Sequence, residues 1–269
     1  MPELRLTQIS YFPVKSTAGI DTPEAEVQPR GLQNDRRWML VDAQGRFLTA
    51  REHPQLLQIH SEINAPGLTL RAPGMAVLEI HEPMPGNGPR LTVTIWHDRV
   101  NAACMPAAAD AWCSEYLGFP CRLVYMDERC ERSSDPEYAL NHDIVSFADA
   151  FPCLLISEAS LEDLNTRTPL AISMRRFRPN LVITGCPAYT EDDWRRLRIG
   201  AVEFAVVKPC SRCVLTTIDP GTSAPHPQQE PLRTLGRYRR RSDRGIYFGQ
   251  NLIPRGTGTI RVGDPVEIR

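Results

Sequence analysis

The amino-acid sequence predicts a mixed α/β fold dominated by β-strands. Short runs that alternate apolar and polar residues recur from one end of the chain to the other. Gly, Pro and Asp bound most of these runs, as expected of a chain with 24 prolines and 17 glycines. Helical signatures, by contrast, are few.

Taken in order, Leu4–Ile9, Trp38–Val41 and Phe47–Thr49 read as the first strands. Asp42-Ala43-Gln44-Gly45 supplies the turn between the last two. Leu68–Leu70, Ala76–Ile80 and Leu91–Trp96 continue the series, so the first hundred residues predict a barrel or curled sheet. The Pro/Gly-dense stretch Pro83–Pro89 reads as a surface loop within it. Ala107–Leu117 changes to helix formers with apolar Ala108, Trp112 and Tyr116, and Cys121–Tyr125 returns to strand. The polar segment from Met126 to Asp143 has neither period; it is expected to be a mobile loop, a domain seam or a flap. Beyond it, Ser157 and Ser160 offer N-caps for a helix over Glu158–Asn165. Asn180–Gly185, Ala201–Val207, Val214–Ile218 and Gly258–Val262 are the remaining strands expected. The division is residues 1–125 and 126–269, two domains being compatible with a chain of 269 residues.

Composition bounds the function. Lys and Arg total 31 against 32 Asp and Glu, a net charge of −1, so no charge excess calls for nucleic acid or an anionic membrane. An anionic ligand would need a local site. Hydrophobic residues at 42% and mean hydropathy of −0.31 suit a globular chain, and no run approaches the ~20 apolar residues of a membrane span. Met1-Pro2-Glu3-Leu4-Arg5 lacks the basic and apolar regions of an export signal, so the expected compartment is cytoplasmic. No Gly-x-Gly-x-x-Gly, P-loop, Gly-x-Ser-x-Gly or His-Glu-x-x-His occurs, which removes the nucleotide-binding, hydrolase and zincin classes.

Six of the eight cysteines, Cys104, Cys113, Cys121, Cys130, Cys153 and Cys186, are scattered at spacings of no zinc ribbon or iron–sulfur pattern. Only Cys210-Ser211-Arg212-Cys213 is a spaced pair. A zinc site would need a second ligand pair. A reactive dithiol would need a helix after the motif, where a strand is expected. A single thiolate in a cationic pocket, with Lys208 and Arg212 nearby, is the third reading, and a buried structural cysteine the fourth. Cations also recur at strand ends: Lys15-Ser16 after the first strand, Asp35-Arg36-Arg37 before the second, and Arg178-Pro179-Asn180 before a later one. Lys, Arg, Ser and Asn together are the donor set for a phosphate.

As an ordered set these motifs resemble a known family. Pro13-Val14-Lys15-Ser16, Asp35-Arg36, Thr49-Ala50-Arg51, Ser157-Glu158-Ala159-Ser160, Phe177-Arg178-Pro179-Asn180, Lys208–Cys213 with Thr216-Thr217, Phe248–Asn251 and Arg261–Asp264 are similar to the MOSC proteins. Within these, the likeness is to the branch holding the mitochondrial amidoxime-reducing component and bacterial relatives that detoxify N-hydroxylated bases. It runs from about Leu6 to Val266. The resemblance implies an N-terminal MOSC-type β-barrel domain, then a MOSC β-barrel domain with peripheral helices, and a molybdenum cofactor (molybdopterin) between them. It implies that Lys15, Ser16, Arg36, Arg51, Arg178 and Asn180 hold the cofactor, that Cys213 ligates the metal, and that Asp149 stands near it as a catalytic residue. Cys210 would be structural.

The implied activity is that of a molybdenum-dependent oxidoreductase acting on small N-hydroxylated compounds: amidoximes, hydroxylamines and N-hydroxylated purines. No plant-type Cys-x4-Cys-x2-Cys occurs, so electrons are expected from a separate iron–sulfur, flavin or haem protein. No nucleic-acid or membrane partner is expected. The alternative is a protein that binds the molybdenum cofactor, or carries sulfur for it, without reducing a substrate; a thiol-redox protein using Cys210 and Cys213 together is the third possibility.

Overall fold

The computed structural model describes residues 3–64, 67–82, 88–140 and 142–269. Four sheets make up the β-rich framework. The largest runs in the order Val266–Ile268, Arg196–Ile199, Val202–Ser211, Tyr247–Pro254, Cys153–Ser157, Leu181–Thr184, Arg5–Tyr11, Ile20–Thr22. A second sheet joins Trp38–Val41, Arg122–Tyr125, Asp98–Cys104 and Arg90–Ile95. Two three-stranded sheets complete it: Gly258–Arg261 with Glu24–Gln28 and Gly31–Leu32, and His60–Asn64 with Gly67–Arg71 and Leu78–His81. The first four strands therefore share sheets with strands of the C-terminal half.

Local chemistry explains the elements that frame the site. Cys153–Ser157 and Leu181–Thr184 are parallel. A parallel pair needs a crossover, which the helix Glu158–Thr166 provides. Its N-cap is Ser157, whose Oγ accepts from the Ser160 amide at 3.1 Å, a contact worth about 1 kcal/mol. The helix Ala107–Leu117 stops at Gly118, which takes φ 80° and returns its amide to Ser114 O at 2.9 Å. Gly249, at φ 80°, leaves no room for a side chain: a Cβ there would lie 2.6 Å from Ile156 Cγ1.

Alternation divides the core. Trp38 and Leu40 join Leu56, Leu68 and Leu123 on one face of their strand, while Met39 and Val41 join Val93, Ile95 and Phe147 on the other. Cys153–Ser157 is buried along its whole length, with Leu155 facing Leu6, Leu181 and Phe204 and with Leu154 and Ile156 facing Phe177 and Phe248. A strand enclosed on both sides reads as a continuous apolar run, as this one does.

Three expectations need correction. Val214–Ile218 is not a strand: Val214–Thr217 is a 3-10 turn, because the Thr216 and Thr217 hydroxyls bond back to Cys213 O and Val214 O at 3.0 and 2.7 Å. Phe47–Thr49 contributes a single bridge, Val41 to Phe47, rather than a strand. The described residues of the 126–143 segment are anchored rather than forming a free flap. Cys130, Arg132, Ser134 and Asp143 within it are all at most 6% exposed, and the Arg132 guanidinium binds the carbonyls of Ser146, Ala148 and Asp149. Most of the expected Pro83–Pro89 loop lies outside the described residues.

Candidate functional site

The site forms where three backbone segments are sewn together. The Lys15 amide bonds Trp38 O at 2.8 Å, the Arg36 amide bonds Phe12 O at 2.8 Å, and the Phe147 amide bonds Arg36 O at 2.9 Å. These bonds bring the loop after the first strand, the turn before Trp38 and the segment ahead of Cys153 to one place. There Lys15, Ser16, Arg36, Thr49, Arg51, Asp149, Arg178 and Leu215 line a small cavity of about 60 Å³.

Three of these residues hold a backbone conformation that disfavours side chains: Ser16 at φ 70°, Arg36 at φ 50° and Arg178 at φ 56°. Such positions concentrate where the surrounding structure enforces a functional geometry. The enforcement is visible in the hydrogen bonds. Arg36 is held by Asp35 at 2.6 Å and by Asn180 Oδ1 at 3.1 Å. Asn180 also accepts from the Leu154 amide and donates to Ser10 O. Buried and committed in this way, Asn180 does not line the cavity; it positions Arg36.

Electrostatics define what the cavity accepts. Lys15, Arg36, Arg51 and Arg178 face two carboxylates, Asp35 and Asp149. Lys15 Nζ donates to Asp149 Oδ1 at 2.6 Å and to Phe147 O at 2.8 Å. Burial lowers the Lys15 ammonium to about 8, with Asp149 resisting and Arg132 and Arg51 adding to the fall. Enclosure works to raise the Asp149 carboxyl, but Lys15 and Arg51 override it and hold the group well below the usual carboxylate range. Burial raises Asp35 despite its Arg36 partner.

Arg178 is the least compensated. Its one side-chain hydrogen bond among the described residues runs to Thr17 O at 2.6 Å, and its guanidinium lies 4.1 Å from the Phe12 ring centroid. Burial, with Arg36 nearby, lowers it to about 9. A buried cation without a carboxylate is costly unless an anion completes it. This donor set fits a phosphate monoester.

Cys213 stands beside this cluster. It precedes the 3-10 turn, and the Thr216 amide and hydroxyl both bond its carbonyl. Arg51 Nε donates to Cys213 Sγ at 3.2 Å while Nη2 donates to Asp149 Oδ2 at 2.7 Å. Thr49 Oγ1 fixes Arg51 from behind, accepting from its amide at 3.2 Å. A half-buried thiol under a guanidinium is a soft donor for a metal that also takes ligands from a cofactor.

Of the two cations expected near the cysteine pair, Arg212 reaches Cys210, and neither is bonded to Cys213. Lys208 pairs with Asp135 at 3.3 Å, and Arg212 donates to Cys210 Sγ at 2.9 Å and to Phe177 O at 2.6 Å. Cys210 packs against the apolar cluster around Phe177 and Phe248, and both cysteines are free thiols. Among the described residues no three His, Cys, Asp or Glu side chains converge as an all-protein metal site. The zinc reading loses its support.

Two residues were not foreseen. Arg132 clamps the backbone that presents Asp149, as described above, and Trp96 Nε1 donates to Asp149 Oδ1 at 3.3 Å. The sequence predicts a strand that ends on Trp96, whereas the strand stops at Ile95 and Trp96 lies in the turn that follows.

Comparison with known proteins finds relatives over most of the chain. Residues 3–120 match the MOSC N-terminal beta barrel domain, and residues 142–267 match the MOSC domain. Over 97% of its length the chain is 37% identical to mitochondrial amidoxime-reducing component 1 of Mus musculus, spanning 81% of that protein. It is 35% identical to component 1 of Homo sapiens, spanning 82%, and 36% identical to component 2 of Homo sapiens, spanning 82%. Each of these alignments again covers 97% of the chain. No helix among the described residues is long and apolar enough to cross a membrane.

Proposed function

The chain belongs to the MOSC family, together with the mitochondrial amidoxime-reducing components, and from that premise we propose that it is a molybdenum-cofactor-dependent reductase of N-hydroxylated compounds. Its substrates are amidoximes, hydroxylamines and N-hydroxylated purines, and its electrons come from a separate protein of iron–sulfur, flavin or haem type. The observation that carries the reading is the junction of Cys213, through Arg51, with the cluster of Lys15, Arg36 and Arg178 around one small cavity.

The residues present fit the cofactor. Arg178, Arg36, Lys15 and Ser16 would hold its phosphate and pterin, Asn180 would keep Arg36 in place, and the Cys213 thiolate would ligate the metal. When bound, molybdenum supplies the two-electron reduction in which an N–OH group, two electrons and two protons give N–H and water.

The protein's own groups prepare that chemistry. Arg51 donates to the Cys213 sulfur and fixes its position beside Asp149. Asp149, ionised across the neutral range, cannot serve as an acid; it holds Lys15 and Arg51 at fixed positions. Lys15 Nζ, with its value near 8, keeps a proton at neutral pH and is the site's most readily released one. Turnover of benzamidoxime to benzamidine by cofactor-loaded protein, with a chemical or protein reductant, tests the function. Cofactor-loaded protein without turnover would instead support a binding or carrier role.

A further inference from the structure

Trp96 occupies the turn of the hairpin Arg90–Ile95 and Asp98–Cys104, where Ile95 pairs directly with Asp98. The first residue of such a turn needs positive φ, which glycine adopts freely. Here a tryptophan holds φ 55° and is 45% exposed. The other three tryptophans, Trp38, Trp112 and Trp194, are at most 7% exposed. The exposed indole is not loose. Its ring lies 5.0 Å from that of Phe47 and 4.9 Å from the Arg51 guanidinium, and its Nε1 donates to Asp149.

Beside it opens a cavity of about 310 Å³, bounded by Phe47, Arg51, Glu52, Thr94 and Trp96. That volume is at the lower end of small-molecule sites, which combine aromatic walls with a few polar groups. Arg51 and Thr49 line both this cavity and the cation-lined one. A molecule against Trp96 is thus one guanidinium from Cys213.

We infer that the cavity walled by Trp96 and Phe47 is the subsite for the aryl group of a planar N-hydroxylated substrate such as benzamidoxime. The indole supplies a π-face, and Arg51 and Asp149 hold it beside the reacting centre. This rests on the reductase reading proposed above.

The test uses cofactor-loaded protein and two substrates, benzamidoxime and hydroxylamine, the second having no aryl group. Trp96→Ala should lower the ratio of kcat/KM for benzamidoxime over that for hydroxylamine about tenfold, and Trp96→Phe should keep it within about threefold of the original. Binding is read separately by acrylamide quenching of tryptophan fluorescence, which reports mainly on Trp96 because the other indoles are buried. Benzamidoxime should protect against quenching.

An unchanged ratio in Trp96→Ala would overturn the subsite, reducing Trp96 to a prop for Asp149. So would absence of protection, whether or not turnover occurs. Protection without turnover of either substrate would support the subsite and count against the reductase reading alone.

Discussion

Arg51 and Cys213, 162 positions apart in sequence, meet at 3.2 Å between Nε and Sγ. The same guanidinium reaches the Asp149 carboxylate with its other end. A rigid fork fixes a sulfur and a carboxylate in one geometry; a lysine, being a point charge on a flexible stem, holds two such acceptors less strictly. Asp149 and Cys213 are thus one unit joined by Arg51.

Arg51→Lys should therefore lower the rate of benzamidoxime reduction by roughly tenfold to a hundredfold, as expected when positioning is lost. Charge is conserved, so cofactor content should change little. Steady-state kinetics and released pterin measure the two separately. A near-normal rate in this variant would show that the bridge has no functional weight.

Removal of Arg178 should weaken cofactor retention more than folding. The native protein already bears the cost of burying this cation without a carboxylate, so Arg178→Ala relieves that cost while deleting a donor for an anion. Pterin per chain after gel filtration should fall severalfold, with Tm within a few degrees of the original in the cofactor-free protein. Equal pterin content with a large loss of thermal stability would contradict the phosphate role.

Raising pH should loosen the cofactor. Lys15 is lowered from 10.5 to about 8, so between those values the unfolded chain binds a proton that the cofactor-free native chain has released. Across that window folding stability of the cofactor-free protein rises with pH while the site loses positive charge. Arg178, at about 9, adds a second step. Dialysis at a series of pH values should release progressively more pterin above pH 8, and Lys15→Arg should delay the onset. Constant retention from pH 7 to 10 would contradict the assignment of these cations.

Much of this architecture is legible in the sequence because its causes are local. The Trp38–Val41 run, the helix ending at Gly118 and the Ser157 cap follow from alternation, a left-handed glycine and a side-chain acceptor. The 3-10 turn after Cys213 was hidden: Val-Leu-Thr-Thr-Ile has strand composition, and the return of the two threonine hydroxyls to the chain decides against it. The partner of the Cys213 thiol is hidden for a different reason. Lys208 and Arg212 are close in sequence, but each is occupied by another group, Asp135 and Cys210 respectively, and the cation that reaches the Cys213 sulfur arrives from a turn 162 positions away. Positive φ at Ser16, Arg36 and Arg178 leaves no mark in a chain that lacks glycine at those positions.

The central claim is that Cys213 holds molybdenum in a cofactor gripped by the neighbouring cations. Elemental mass spectrometry of molybdenum per chain, with released pterin read by fluorescence, tests it on protein from a host that makes the cofactor. The original chain and Cys210→Ala should each carry close to one molybdenum. Cys213→Ala should lose metal and N-reduction while remaining folded. Folded protein with neither metal nor pterin, or a Cys213→Ala variant with full metal content and unchanged turnover, would contradict the account.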